Sequence, residues 1–160
     1  MSEWENFLLA EVGASAALAG LIFVAVSINL NRIISIPKLP NRAFESLLVL
    51  LTVLIVSSLL LVPGQSISIV GVEVLVIGFL VWIMMIFNDV KIWQNTETVY
   101  KGRYILPIFF NQLTMLPYLV AGVILFFTGL IGLYWLVPAV IFSFIKALAD
   151  AWVLLIEINR

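Results

Sequence analysis

Apolar residues run along this chain in long, nearly unbroken stretches, and polar residues collect in the gaps between them. A helix that crosses a bilayer needs about 20 mostly apolar residues. Five stretches meet that length, at about 7–30, 43–62, 69–87, 105–127 and 132–156. The gap "VPGQS" reads as a tight Pro-Gly turn between the second and third stretches, and "TGLIG" as a second turn between the fourth and fifth. The two longer connections are "NRIISIPKLPNR" and "DVKIWQNTETVYKGR". Asn41 is placed to cap the start of the second span. The pattern predicts an all-α integral membrane protein of five transmembrane helices, with residues 1–160 forming a single transmembrane domain.

Composition agrees with the pattern. The chain has 160 residues, 64% of them hydrophobic and 11% charged, whereas soluble domains are about 45–50% apolar and about 25% charged. It holds no Cys and no His. That removes disulfides, thiol chemistry, Cys/His metal sites and every catalytic triad that needs imidazole. "ASA" at Ala14–Ala16 mimics a signal-peptide cleavage site. The segment before it carries Glu3 and Glu5 without a basic residue, and its apolar run is short, so the expectation is a retained first helix.

Charge then orients the spans. Arg32, Lys38 and Arg42 lie in the first connection, Lys91, Lys101 and Arg103 at the third, and Arg160 ends the tail. The N-terminal segment and the two tight turns have no Lys or Arg. Because cytoplasmic loops retain basic residues, the N-terminus is expected outside and the C-terminus inside, in a prokaryotic cytoplasmic (inner) membrane. Trp4, Trp93, Tyr134, Trp135 and Trp152 then fall at the interfacial belts. The outer half holds Glu3, Glu5, Glu11 and Glu73, an acidic mouth that would concentrate cations. Acids are also simply what remains outside once basic residues are kept inside.

Ionisable and polar groups within the spans are costly, so each is a candidate. Glu11 and Glu73 can line an outer vestibule, or can be surface-reaching acids packed between helices. Asn111, Gln112 and Thr114 precede Pro117, which frees the carbonyl of Leu113 and is expected to kink or break the fourth helix. Broken helices with polar neighbours recur as ion sites, although a plain proline kink with inter-helix amide bonds fits the same residues. Lys146 and Asp150, four residues apart on one helix face, form an expected inner ion pair. Ser27, Asn29, Asn31, Glu45, Ser46, Asn88 and Asp89 also fall in inner halves or at inner ends, which raises the possibility of a cavity open to the cytoplasm. Gly13/Ala17 and Ala16/Gly20 are small-xxx-small pairs that predict a helix-packing face, within the subunit or between subunits.

The stretch Ala10-Glu11-Val12 resembles the first-helix glutamate of the small multidrug resistance transporters. Those proteins have four spans and a near-balanced charge bias; five spans, a strong bias and different later helices set this chain apart from them.

No paired-acid motif of the lipid phosphotransferase type, no Ser or Asp nucleophile with a plausible base and no Gly-rich phosphate loop is seen in the sequence, so neither a catalytic residue nor a cofactor or metal is expected. Nucleic-acid binding is not expected either, since topology accounts for the basic residues. Beyond the lipid bilayer itself, the expected partners are further copies of the chain and anionic lipid at Arg32, Lys38, Arg42, Lys91, Lys101 and Arg103. The leading expectation is a homo-oligomeric cation channel or transporter. The alternative is a regulatory or assembly subunit that binds another membrane protein through its helices.

Overall fold

The computed structural model describes residues 2–37, 39–95, 97 and 101–158, with the backbone alone at 2, 3, 103 and 158. The chain is 92% helical, with no strand among the described residues. Among the described residues six α-helices follow in order: α1 (Ser2–Ile28), α2 (Leu30–Ser35), α3 (Leu39–Leu60), α4 (Ile67–Gln94), α5 (Gly102–Thr128) and α6 (Leu133–Ile158). A 3-10 turn, Gly129–Gly132, joins the last two.

Local chemistry accounts for the helix ends. Asn29 closes α1 by donating its side-chain amide to the Ala25 carbonyl at 2.9 Å. The carbonyl of the same residue accepts from the backbone N–H groups of Arg32 and Ile33, which starts the short α2 that the hydropathy pattern does not announce. Ile36 is extended, with φ −102° and ψ 118°, as expected for a residue whose helical conformation would clash with the following proline. α3 already begins at Leu39. Pro40 therefore lies in a first turn where its missing N–H costs nothing, and Asn41 is inside the helix rather than its cap. Gly64, with φ 76°, makes the turn after α3. Ser66 caps α4 by accepting from the Ile69 N–H at 3.4 Å.

Four apolar helical stretches are long enough to cross a membrane: Trp4–Ile28, Leu39–Leu60, Ile67–Gln94 and Tyr104–Glu157. The last has 54 residues and consists of α5 and α6, which brings the helices of this kind to four or five. Their exposed faces carry large apolar side chains, among them Leu21, Phe23, Ile28, Phe87, Phe127 and Leu155. Such surfaces suggest a lipid environment, because a water-exposed protein rarely shows so much contiguous apolar area.

The helices group into two compact units. Met1–Gly64 with Ser143–Arg160 forms the first, and Gln65–Phe142 the second. In the first unit α1 packs on α3. Its core has one cluster around Ile22, Leu50 and Ala147 and another around Ile33, Leu39, Ala43 and Leu154. These contacts pair the end of α1 with the middle of α3, and the start of α3 with the end of α6, so neighbouring helices run antiparallel.

In the second unit α4 and α5 are also antiparallel and approach very closely. A Cβ placed on Gly71 would lie 2.6 Å from the Phe126 backbone nitrogen, and one on Gly122 would lie 2.7 Å from Leu75 Cβ. Gly78 faces Tyr118 at 3.1 Å in the same way. Glycine lets the two backbones meet, which is how apolar helices gain packing that lipid does not supply.

Candidate functional site

The first unit holds a cluster of four charged side chains, of which Glu45, Lys146 and Asp150 are buried and Arg42 is half-buried. Helix α3 contributes Arg42 and Glu45 within its first two turns, and α6 contributes Lys146 and Asp150 one turn apart. The Lys146 ammonium donates to Asp150 Oδ2 at 2.6 Å and to Glu45 Oε2 at 3.1 Å. Arg42 Nη1 lies 3.7 Å from Asp150 Oδ1. Lys146 is 5% exposed, Glu45 7% and Asp150 8%. Two bases face two carboxylates, so the cluster is neutral as a whole, and Lys146 holds the position between the acids.

Apolar side chains flank the cluster along both helices: Ala43, Leu47 and Leu50 on α3, and Phe144, Ala147 and Ala151 on α6. In such surroundings each charge depends on its partners, because an isolated charge would be far too costly to keep ionised. Chemically the arrangement is a pair of carboxylates already holding one cation, the ammonium of Lys146.

A second polar group lies in the second unit. Asn111 Nδ2 donates to Asp89 Oδ1 at 2.8 Å, and Trp82 Nε1 donates to Gln112 Oε1 at 2.6 Å. Both bonds tie α5 to α4. The Thr114 hydroxyl donates to the Phe110 carbonyl of its own helix at 2.7 Å. Pro117 is buried within α5, and the helix continues through it from Gly102 to Thr128 without interruption. No break in the helix accompanies the proline.

Glu11 and Glu73, the two acids expected in the outer half, belong to different units. Glu11 is half-buried on α1, with Oε2 buried and without a hydrogen-bond partner. Glu73 accepts from Gln65 Nε2 at 2.8 Å through Oε1.

The small residues of α1 do not pack against the described residues of their own unit. Gly13, Ala16, Ala17 and Gly20 are all exposed, and a Cβ built on Gly13 or Gly20 would meet nothing within 4 Å. It is Ser15, Leu18, Ala19 and Ile22 of the same helix that are buried or half-buried. Of the basic residues expected at lipid, Arg32 and Lys91 are exposed, Arg42 is engaged with Asp150, and Lys101 sits on Trp93. Lys38, Arg160 and the side chain of Arg103 lie outside the described residues.

Sequence reasoning placed Glu45 and Asp89 among helix-end polar groups and missed their roles. Local sequence did not single them out: Glu45 is followed by Ser46 and Asp89 preceded by Asn88, whereas Glu11 and Glu73 are the acids with apolar residues on both sides. Comparison with known protein families, with characterised proteins and with solved structures finds no match to this chain.

Proposed function

We propose that this protein is a membrane-embedded, non-enzymatic pathway for cations, with five spans, its N-terminus outside, its C-terminus inside, and several copies around a common axis. The Lys146–Glu45–Asp150–Arg42 cluster carries the reading. Apolar residues would join α3 and α6 at lower cost, since replacing a buried ion pair by well-packed hydrophobic side chains is often neutral or stabilising. Ionisable groups held at such a place in an apolar helix mark ion and substrate pathways.

In this reading Glu45 and Asp150 are the cation ligands. Lys146 is the resident cation, and a permeating ion takes its position when the ammonium swings aside. Arg42 keeps Asp150 compensated during the exchange. Glu11 and Glu73 raise the local cation concentration at the outer side.

Support for five spans comes from the second unit. A Cβ on Gly132 would lie 2.6 Å from the Leu125 nitrogen, whereas residues seven apart in a straight helix are about 10 Å apart. The turn at Gly129–Gly132 therefore folds against the end of α5, which favours reading α5 and α6 as two separate crossings. Each helix is then long enough to cross by itself.

The test is flux of potassium, sodium and protons through liposomes that contain only the purified protein, under an imposed voltage. Cation flux in the wild type is expected to fall at least tenfold in the Glu45→Gln, Asp150→Asn variant, because both ligands lose their charge. Absence of flux at every voltage overturns the reading.

A second reading is favoured by one observation, the exposed stripe Gly13, Ala16, Ala17 and Gly20. A partner membrane protein seated there would make this chain a regulatory or assembly subunit. A co-purifying partner that is lost on Gly20→Leu, in a protein without flux, distinguishes this reading from the first.

A further inference from the structure

The second unit contains a cleft that the proposed cation pathway does not use. It has a volume of about 250 Å³ and lies at the Gln94 end of α4, against α5. Ile86, Val90 and Ile108 give it apolar sides, while Asp89, Trp93 and Gln112 bring polar and aromatic groups to it. Asp89 and Trp93 are four residues apart, so they share one face of α4 and stand one turn from each other.

Three features define the chemistry. Asp89, 7% exposed, brings the cleft's one carboxylate among the residues that line it. Trp93 offers a ring that already attracts a primary ammonium, since Lys101 Nζ lies 5.2 Å from its centroid, within the range of a cation–π contact. Gln112 lines the cleft one residue from Asn111, whose amide holds Asp89 in place by donating to its Oδ1 at 2.8 Å. Together these groups want a cationic nitrogen that carries N–H donors. The apolar sides want a hydrocarbon tail, and Lys101 beside Trp93 supplies a positive charge for an anionic group one turn further along.

We propose that this cleft binds an aminophospholipid, with the headgroup ammonium on Asp89, the phosphate toward Lys101 and an acyl chain along Ile86, Val90 and Ile108. A choline headgroup keeps the positive charge but has no N–H to give to Asp89. A glycerol headgroup leaves the lipid with a net negative charge, and the carboxylate repels it.

The experiment is native mass spectrometry of the full-length protein in detergent micelles with equal amounts of phosphatidylethanolamine, phosphatidylcholine and phosphatidylglycerol of matched acyl chains. Phosphatidylethanolamine is expected to be retained in preference to both others. Asp89→Asn, which keeps an acceptor for Asn111 but removes the charge, should lower that retention about tenfold, the scale of losing one charge-assisted hydrogen bond. Lys101→Ala should reduce it less, and it keeps the test open if the Asp89 variant does not fold. Leu21→Ala, at an exposed position in the other unit, should leave it unchanged.

Equal retention of phosphatidylethanolamine and phosphatidylcholine overturns the proposal. So does a preference for phosphatidylglycerol, or wild-type retention in both the Asp89 and Lys101 variants. Displacement of the lipid by an excess of soluble phosphoethanolamine would make the ligand a free headgroup and overturn the assignment to lipid.

Discussion

Lys146 carries one positive charge into the apolar interior of the first unit and meets two negative ones there. Its removal leaves Glu45 and Asp150 near each other with only Arg42 to offset them. Breaking a buried pair by deleting one partner costs about 3–5 kcal/mol. Lys146→Met is expected to destabilise the protein by that amount, measured by unfolding of the detergent-solubilised protein. Adding Glu45→Gln removes one charge of each sign and restores neutrality, leaving the Arg42–Asp150 pair at 3.7 Å. The double variant is therefore expected to recover most of the loss. If it is no more stable than the single variant, the two side chains are not energetically coupled, and the cluster cannot be a shared cation site. The pair on α6 is legible in the sequence as two residues one turn apart. Glu45 as the third member is not, because it comes from 101 residues away.

At the scale of the element, the glycines of α4 and α5 differ physically from those of α1. Gly71, Gly78 and Gly122 stand where two helices touch; Gly13 and Gly20 stand in open space. Gly122→Ala forces a methyl group to within 2.7 Å of Leu75, and overpacking of this kind costs about 1–3 kcal/mol. Gly20→Ala is expected to change stability by less than about 0.5 kcal/mol, or to raise it slightly, because alanine favours the helix. Parallel unfolding of the two variants checks the contrast, and equal losses would mean that α1 packs against something in the same chain. The small-xxx-small pattern of α1 is easy to see in sequence, but spacing alone does not say which helix a small residue faces. Gly71 and Gly78, seven residues apart, repeat over two turns and attract less notice.

At the scale of the whole molecule, the proposed orientation rests on the distribution of basic residues and on five crossings. The chain has no cysteine, so single cysteines can be introduced without a background. Pro63→Cys, in the turn between α3 and α4, is expected to react with a membrane-impermeant maleimide on intact cells. Glu97→Cys, in the connection between α4 and α5, should react only after permeabilisation. The reverse pattern would invert the orientation, and labelling of both from one side would remove a crossing. The same geometry would set the Asp89–Trp93 cleft at the inner leaflet and the Gly64 turn outside.

The sequence by itself determined the helical, membrane-type character of the chain and the approximate extent of its long helices. These follow from local quantities: the length of apolar runs, proline after Ile36, and glycine at 64 and 129. The ends moved by a few residues because capping, as at Ser66 and Asn29, depends on individual hydrogen bonds. The short α2 escaped notice for the same reason. Tertiary structure alone decided which side chains meet. Helices that are apolar on nearly every side carry no stripe to fix their rotation, and a bilayer rewards no particular face. Rotation is set instead by where glycines admit a neighbouring backbone and where a buried charge finds its counter-charge. That is why Lys146 joins Glu45 as well as Asp150, why Asn111 reaches Asp89, and why the small residues of α1 point outward.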